Sequence, residues 1–259
     1  MRAAAAAVVL LCLVLVPAAA GTSTERPPIA LTASPSHVML SGSSRATIHV
    51  ANLGAHSVVV DVSRAGFALD VRGRPRIMRR GDRRAAVSWL TLRPRTLALR
   101  PGQTKTVTVS SRLPVRTEPG DHDALVLLVT RPRRRAAVAL RMRMGIVVVV
   151  RAPGTVVHRL ELRSLRVRRA SHGSVALELL VLNRGNVTEV LDSARVDASL
   201  RRRATIVATL RPEPREVRPG TRGLLLLPYR GPLRGRVTLR VRITVGRSGT
   251  AARVFRLRL

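Results

Sequence analysis

Few side chains in this sequence are of a type and spacing suited to covalent chemistry. Six histidines, His37, His49, His56, His122, His158 and His172, are scattered along the chain. None shows the spacing that presents two imidazoles to one metal ion. No Gly-x-Ser-x-Gly elbow and no Gly-x-x-x-x-Gly-Lys phosphate loop occurs. The sharpest polar cluster is Glu118-Pro-Gly-Asp121-His122-Asp123. Two carboxylates and an imidazole there could hold a cation or act as an acid–base pair. The same residues also read as a turn, where acids neutralise nearby arginines and Asp121 bonds the backbone. A perturbed site needs burial, and this segment reads as a rim, which favours the turn. His49 and His56 flank an Asn-Leu-Gly turn and could face each other across a hairpin, but two solvated turn-flanking histidines are the favoured reading. The expectation is no catalytic residue, no metal and no cofactor, hence not an enzyme.

Arginine supplies the remaining chemistry. Lys and Arg number 47 against 14 acids, for a formal charge of +33, and Lys105 is the single lysine. Compositional drift accounts for arginine over lysine but not for the scarcity of acids, so the positive field is physically present. Arg131-Pro-Arg133-Arg134-Arg135 occupies an expected turn, and Arg79, Arg80, Arg83 and Arg84 crowd a long connection with Arg72, Arg74 and Arg76. Arg201-Arg202-Arg203 forms a third cluster. Guanidinium groups grip phosphate and carboxylate bidentately, which makes these loops candidate polyanion-binding sites. Charged loops also keep sheets soluble and blunt their edges against aggregation. Nucleic acid is disfavoured as a partner, because aromatic residues make up only 2% and leave little for base stacking.

The elements that must carry these residues alternate with a period of two. In Arg236 to Val245, Val237, Leu239, Val241, Ile243 and Val245 share one face, and Arg236, Thr238, Arg240, Arg242 and Thr244 the other. Val138, Leu140, Met142 and Met144 alternate in the same way with Ala139, Arg141 and Arg143. Turn pairs such as Pro101-Gly102, Pro119-Gly120, Pro153-Gly154 and Pro219-Gly220 punctuate the chain, as in an all-β sandwich. Two motifs recur in order. Val50-Ala-Asn52-Leu-Gly54 is matched by Val181-Leu-Asn183-Arg-Gly185, and Leu99-Arg-Pro-Gly102 by Val217-Arg-Pro-Gly220. The first half holds extra residues around Asp70 to Val87, expected to form a loop. Trp89 opens an apolar strand and reads as core rather than as a ligand platform.

The chain begins with Arg2, an uncharged apolar run from Ala3 to Val16, then Pro17 and Ala18-Ala-Ala20, the pattern of a cleaved signal peptide. The run is short for a bilayer of about 30 Å. Cys12, the lone cysteine, lies within it, so the mature chain has no thiol or disulfide. No second apolar run approaches membrane length. The expected organisation is a signal peptide at 1–20, a linker at 21–28, and two tandem immunoglobulin-like β-sandwich domains at 29–152 and 155–259.

The order of the Asn-x-Gly turn, Trp89, the Arg-Pro-Gly turn, Leu113-Pro114 and Pro119-Gly120 resembles the WxL-interacting cell-surface protein family and, more broadly, the pilus-chaperone and immunoglobulin-like superfamily. That resemblance implies a first domain associated with peptidoglycan and a second with partner proteins. It also implies a tyrosine, pinning a corner, where Asp121-His122-Asp123 stands, a role that His122 would fill in part. Members usually end in a transmembrane helix and basic tail, which this sequence does not show. The resulting expectation is an exported, non-enzymatic adaptor of the cell envelope that contacts anionic wall polymers or peptidoglycan and another exported protein. The alternative is a periplasmic-type chaperone that donates a strand to an exported subunit.

Overall fold

In the computed structural model, residues 26–78, 85–132, 140–169, 175–231, 235–247 and 249–259 are described. The period-two segments become strands with one buried and one solvated face, antiparallel except where the second strand, His37–Ser41, runs parallel to Val147–Arg151. The first sandwich is built from β1 (Leu31–Ser34), β2 (His37–Ser41), β3 (Arg45–Asn52), β4 (Val58–Leu69), β5 (Pro75–Met78), β6 (Leu90–Arg93), β7 (Thr96–Leu99), β8 (Thr104–Ser111), β9 (Gly120–Thr130) and β10 (Arg143–Ala152). One sheet has the order β1-β3-β8-β6, and the facing sheet β2-β10-β9-β4-β5, with β7 also on β4. The second sandwich holds β11 (Leu160–Arg169), β12 (Val175–Asn183), β13 (Glu189–Leu191), β14 (Val196–Arg202), β15 (Thr205–Leu210), β16 (Arg215–Val217), β17 (Arg222–Tyr229), β18 (Arg236–Val245) and β19 (Gly249–Arg258). Its sheets are β11-β12-β17 and β15-β14-β18-β19, with β13 and β16 paired at one end. The chain is all-β, as its periodicity requires.

Two separate apolar cores follow. One gathers Leu40, Ile48, Val60, Leu90, Leu99, Val107, Leu128 and Val148, and the other Leu177, Leu179, Leu200, Leu225, Leu227, Leu239 and Val241. Each fully buried side chain of this size contributes about 1.5–3 kcal/mol. Without a disulfide, this burial is what holds the sandwiches together. In β18 the five apolar residues are buried, while Arg236, Arg240, Arg242 and Thr244 are exposed.

The repeated motifs perform the same task twice. Asn52 is fully buried, its side-chain amide donates to His56 O and Leu99 O, and its Oδ1 accepts from Gly54 N. Asn183, also fully buried, donates to Val187 O and Val217 O and accepts from Gly185 N. Gly102 N bonds Asn52 O, and Gly220 N bonds Asn183 O. Each Asn-x-Gly turn is thus stitched to the Arg-Pro-Gly turn of its own sandwich, because a buried amide must satisfy donors and acceptor together.

Two expectations need correction. The extra residues after Asp70 are not a free loop. Pro75–Met78 pairs with the end of β4, and the connecting turn docks on the second sandwich. Of the alternating segment, Leu140 to Met142 precede the strand, which begins at Arg143, and Val138 and Ala139 lie outside the described residues. The reason is local: β9 ends at Thr130, whose hydroxyl accepts from Met142 N where a strand carbonyl would otherwise stand. Trp89 closes a short 3-10 turn (Val87–Trp89) and packs, partly buried, against the first core. Replacing Asn183 by alanine should cost about 3 kcal/mol, since three buried bonds are lost and two carbonyls are stranded. Urea unfolding of the variant beside the parent measures this, and a loss below about 0.5 kcal/mol would show that the stitch is dispensable.

Candidate functional site

The segment expected to be a rim is buried. Asp121, His122 and Asp123 open β9 with relative exposures of 0%, 3% and 4%, and they lie against the second sandwich. Gly120 comes within contact of Asn186, and a Cβ there would stand 2.1 Å from Asn186 O. Asp121 N donates to Asn186 O at 2.8 Å, and the Asn186 amide donates to Pro119 O and Thr155 O. Asp121 receives a two-pronged guanidinium from Arg151, at 2.7 and 3.0 Å, and the Thr188 amide at 2.7 Å. Asp123 Oδ2 accepts from Nε of Arg218 at 2.6 Å and also from its Nη2. The Arg218 guanidinium lies 4.2 Å above the Phe67 ring, so it is held by both sandwiches. Burial pushes the Asp123 carboxyl up, and Arg218 offsets part of that push.

His122 turns the other way. Its Nε2 bonds Glu118 O at 2.8 Å, so that nitrogen carries the proton, and its ring lies 4.5 Å from that of Trp89. A side chain bonding the backbone four residues upstream is the corner-pinning role that the resemblance assigns to tyrosine. Both aspartates are thus engaged by guanidinium and amide donors. Removing one member of such a buried pair costs about 3–5 kcal/mol, because the other charge is left uncompensated. The cluster joins two bodies; larger cavities lie elsewhere, one at the end of β14, β18 and β19 and one between β11 and β19. Among the described residues, no group of three His, Cys, Asp or Glu is placed to hold a metal ion.

Two further contacts join the sandwiches. The turn after β4 is fixed by Asp70, whose Oδ1 accepts from Arg72 N and Arg74 N, and Gly73 supplies the left-handed residue at φ 83°. Those amides hold the Asp70 carboxyl below its usual range. The turn then meets the second sandwich. Leu224 N donates to Val71 O, Arg215 donates to Asp70 O and Val71 O, and Arg72 pairs with the buried Glu178 at 3.2 Å. His37 on β2 faces Glu216 on β16 at 3.6 Å. That contact raises the His37 pKa and lowers that of Glu216, each chiefly through the direct approach of imidazole and carboxylate.

The arginine candidates divide. Arg131 is already forked onto Asp61, at 2.6 to 3.0 Å. Arg79, Arg80, Arg83, Arg84, Arg133, Arg134 and Arg135 lie outside the described residues, as does the expected signal peptide. Arg201, Arg202 and Arg203 line the concavity at the end of β14, together with Arg236, Arg256 and Arg258. The last three were not singled out from the sequence, where they are 33 to 57 positions from Arg201–Arg203; only strand pairing brings them together.

Among the described residues, the first part of β10 has no strand on its β2 side. β9 pairs with β10 along all of Arg143–Ala152, whereas β2 pairs with Val147–Arg151 alone. Val147 N donates to Ser36 O on the β2 side. By alternation, the amides and carbonyls of Arg143 and Gly145 point the same way, and no described strand lies beyond them. Met142 and Met144 pack half-buried against the core beside this edge, and Leu140 at its lip is 52% exposed.

No family model matches the sequence, and no curated protein matches it. The resemblance to the WxL-interacting family therefore has no family match behind it. Among solved structures, the chain is similar to the class 5 fimbriae chaperone CfaA (10% identity, TM-score 0.49, covering 87% of this chain and 98% of that one). It is also similar to the E. coli chaperone DraB (14%, 0.44, 89% and 99%) and to the Pseudomonas aeruginosa CupB2 chaperone (11%, 0.44, 87% and 100%). At scores this low the likeness carries no inference, and the fold rests on the strand pairing itself.

Two outcomes follow from the joint. Gly120→Ala should split a single calorimetric unfolding transition into two, since its Cβ cannot coexist with the Asn186 carbonyl; one unshifted transition would show that this contact does not couple the sandwiches. The second concerns pH. The raised His37 contributes stability that is complete below about pH 6.5 and lost as pH rises through its folded value. The lowered Glu216 contributes above about pH 4.5, and this is lost as pH falls through its folded value. Stability from this contact should therefore be greatest between about pH 4.5 and 6.5. In His37→Gln the decline above that window should flatten, as read by thermal melts across pH.

Proposed function

We propose that the chain is an exported, extracytoplasmic binding protein that takes up a strand of another exported polypeptide along the open half of β10. The observation carrying this reading is that Arg143–Ile146 is hydrogen-bonded to β9, with no described strand on the β2 side. An extended segment laid there would continue the sheet through main-chain bonds, which recognise any sequence, while side-chain pockets select. Met142 and Met144 would supply those pockets, with a thioether flexibility that accommodates varied apolar side chains. The joint between the sandwiches would hold the second domain in a fixed relation to this edge, where it could also contact the guest.

It shares strand pairing with an exported partner with the chaperone-like alternative among the sequence expectations, but there the chain donates the strand and here it accepts one; the reading is supported by the edge geometry rather than by likeness to known chaperones. Contact with anionic wall polymers or peptidoglycan would be a separate property of the arginine-rich surface. Of the alternating segment Val138–Met144, which a donating chain would use, the described strand begins at Arg143, and Val138 and Ala139 lie outside the described residues.

A synthetic peptide alternating valine and threonine over one strand length should bind the chain lacking residues 1–20. Gly145→Pro should weaken that binding at least about tenfold, equivalent to ~1.4 kcal/mol. Proline there removes an N–H that points to the open side and leaves the β9 ladder bonded. Unchanged binding by Gly145→Pro, with an unaltered melting temperature, would place the peptide elsewhere and sink the reading.

A further inference from the structure

Six arginines converge on the end of the second sandwich. Arg201 and Arg202 finish β14, Arg203 follows in the turn, Arg236 opens β18, and Arg256 and Arg258 close β19. Together they line a concavity of about 1000 Å³ that has no aspartate or glutamate in its wall. A water occupies about 30 Å³ in the liquid, so the space is many times larger than a single small anion requires.

The register makes the grouping costly. Arg236 stands directly opposite Arg258, and Arg201, Thr238 and Arg256 form the neighbouring row across three strands. Like charges directly opposite in an antiparallel pair destabilise a sheet. No ion pair to a carboxylate among the described residues involves Arg201, Arg203, Arg236, Arg256 or Arg258. Alternation puts Arg236, Arg256 and Arg258 on the solvent face, with Val237 and Leu257 turned to the core. The turn that carries Arg203 is itself strained, with that non-glycine residue at φ 53°, and Arg201 braces it by donating to Ala204 O at 2.6 Å. Neighbouring rows along a strand are about 7 Å apart and neighbouring strands about 5 Å. The guanidiniums therefore form a grid that several linked anionic groups can engage at once.

The chemistry of the occupant follows from this grid. Guanidinium forks match the paired oxygens of phosphate. A concave wall suits a chain better than a flat bilayer. Base stacking has no platform here, because the nearby Phe255 ring is capped by the Arg253 guanidinium at 5.2 Å. We propose that this basin binds a linear, phosphate-bearing polyanion other than a nucleic acid, with Arg236, Arg256 and Arg258 as its floor and Arg201, Arg202 and Arg203 as its rim. The site is distinct from the β10 edge and does not depend on strand capture.

The test titrates the chain lacking residues 1–20 with long-chain inorganic polyphosphate across a salt series. The triple variant Arg236→Gln, Arg256→Gln, Arg258→Gln should bind at least about tenfold more weakly at 0.15 M salt, and its log–log salt slope should fall by about 2 to 3. A charge-matched control, Arg45→Gln, Arg100→Gln, Arg112→Gln, takes exposed residues of the first sandwich and should change affinity less than about twofold. Polyphosphate should also raise the melting temperature of the parent and not that of the basin variant. Equal loss in both triple variants would reduce the effect to bulk charge and overturn the proposal. So would failure of the parent to bind polyphosphate. Equal affinity for polyglutamate, or binding to vesicles of phosphatidylglycerol and phosphatidylcholine that polyphosphate cannot compete away, would do the same.

Discussion

Two carboxylates are taken out of water where the sandwiches meet, and the relation of one sandwich to the other follows from how they are neutralised. Asp121 and Asp123 lie at the start of β9 with almost no exposure, a position that is tolerable only if each is paired and hydrogen-bonded. The partners come from different places. Arg151 belongs to the strand beside β9, whereas Arg218 and the Thr188 amide belong to the second sandwich. Separating the domains would leave Asp123 and Arg218 without each other, and Asn186 without Pro119. The buried charges therefore fix an orientation more than they add net stability, which is the better-attested use of such pairs.

That fixed orientation is what makes the rest of the surface meaningful. A free strand edge is a hazard when unmanaged. The open half of β10 is bordered by two methionines and one exposed leucine, which suits temporary occupation better than permanent closure. The arginine basin stands on the other body, at the end of a different sheet. One chain thus presents, among the described residues, an open strand edge and a cationic basin, tied together by the joint between the sandwiches.

Much of this was legible in the residues. Alternation in Arg236–Val245 named both faces of β18 correctly, because a half-buried strand leaves no other arrangement for five apolar and five polar residues. The doubled Asn-x-Gly and Arg-Pro-Gly motifs marked the two sandwiches, and each asparagine proved to bond its own downstream turn. The rim reading failed for Gly120–Asp123, which are buried, whereas Glu118 and Pro119 are exposed and the two aspartates do pair with arginines. Acids beside a Pro-Gly pair are usually solvated, and nothing local reveals a guanidinium arriving from 95 residues away. The segment after Asp70 failed for the same reason, since its carbonyls are satisfied by Arg215 and Leu224 of the other sandwich.

The division is one of range. Periodicity, turn chemistry and charge are properties of neighbouring residues, so the sequence by itself determined an all-β chain with two cores and a strongly cationic exterior. Which arginines neutralise a buried aspartate and which stand together without an acid are decided by strand order and register. Arg131 and Arg201 look alike in the sequence, yet one is forked onto Asp61 and the other faces Arg256 across Thr238. Only the tertiary structure separates them, because the energy of a charge depends on what the fold places within a few ångströms of it.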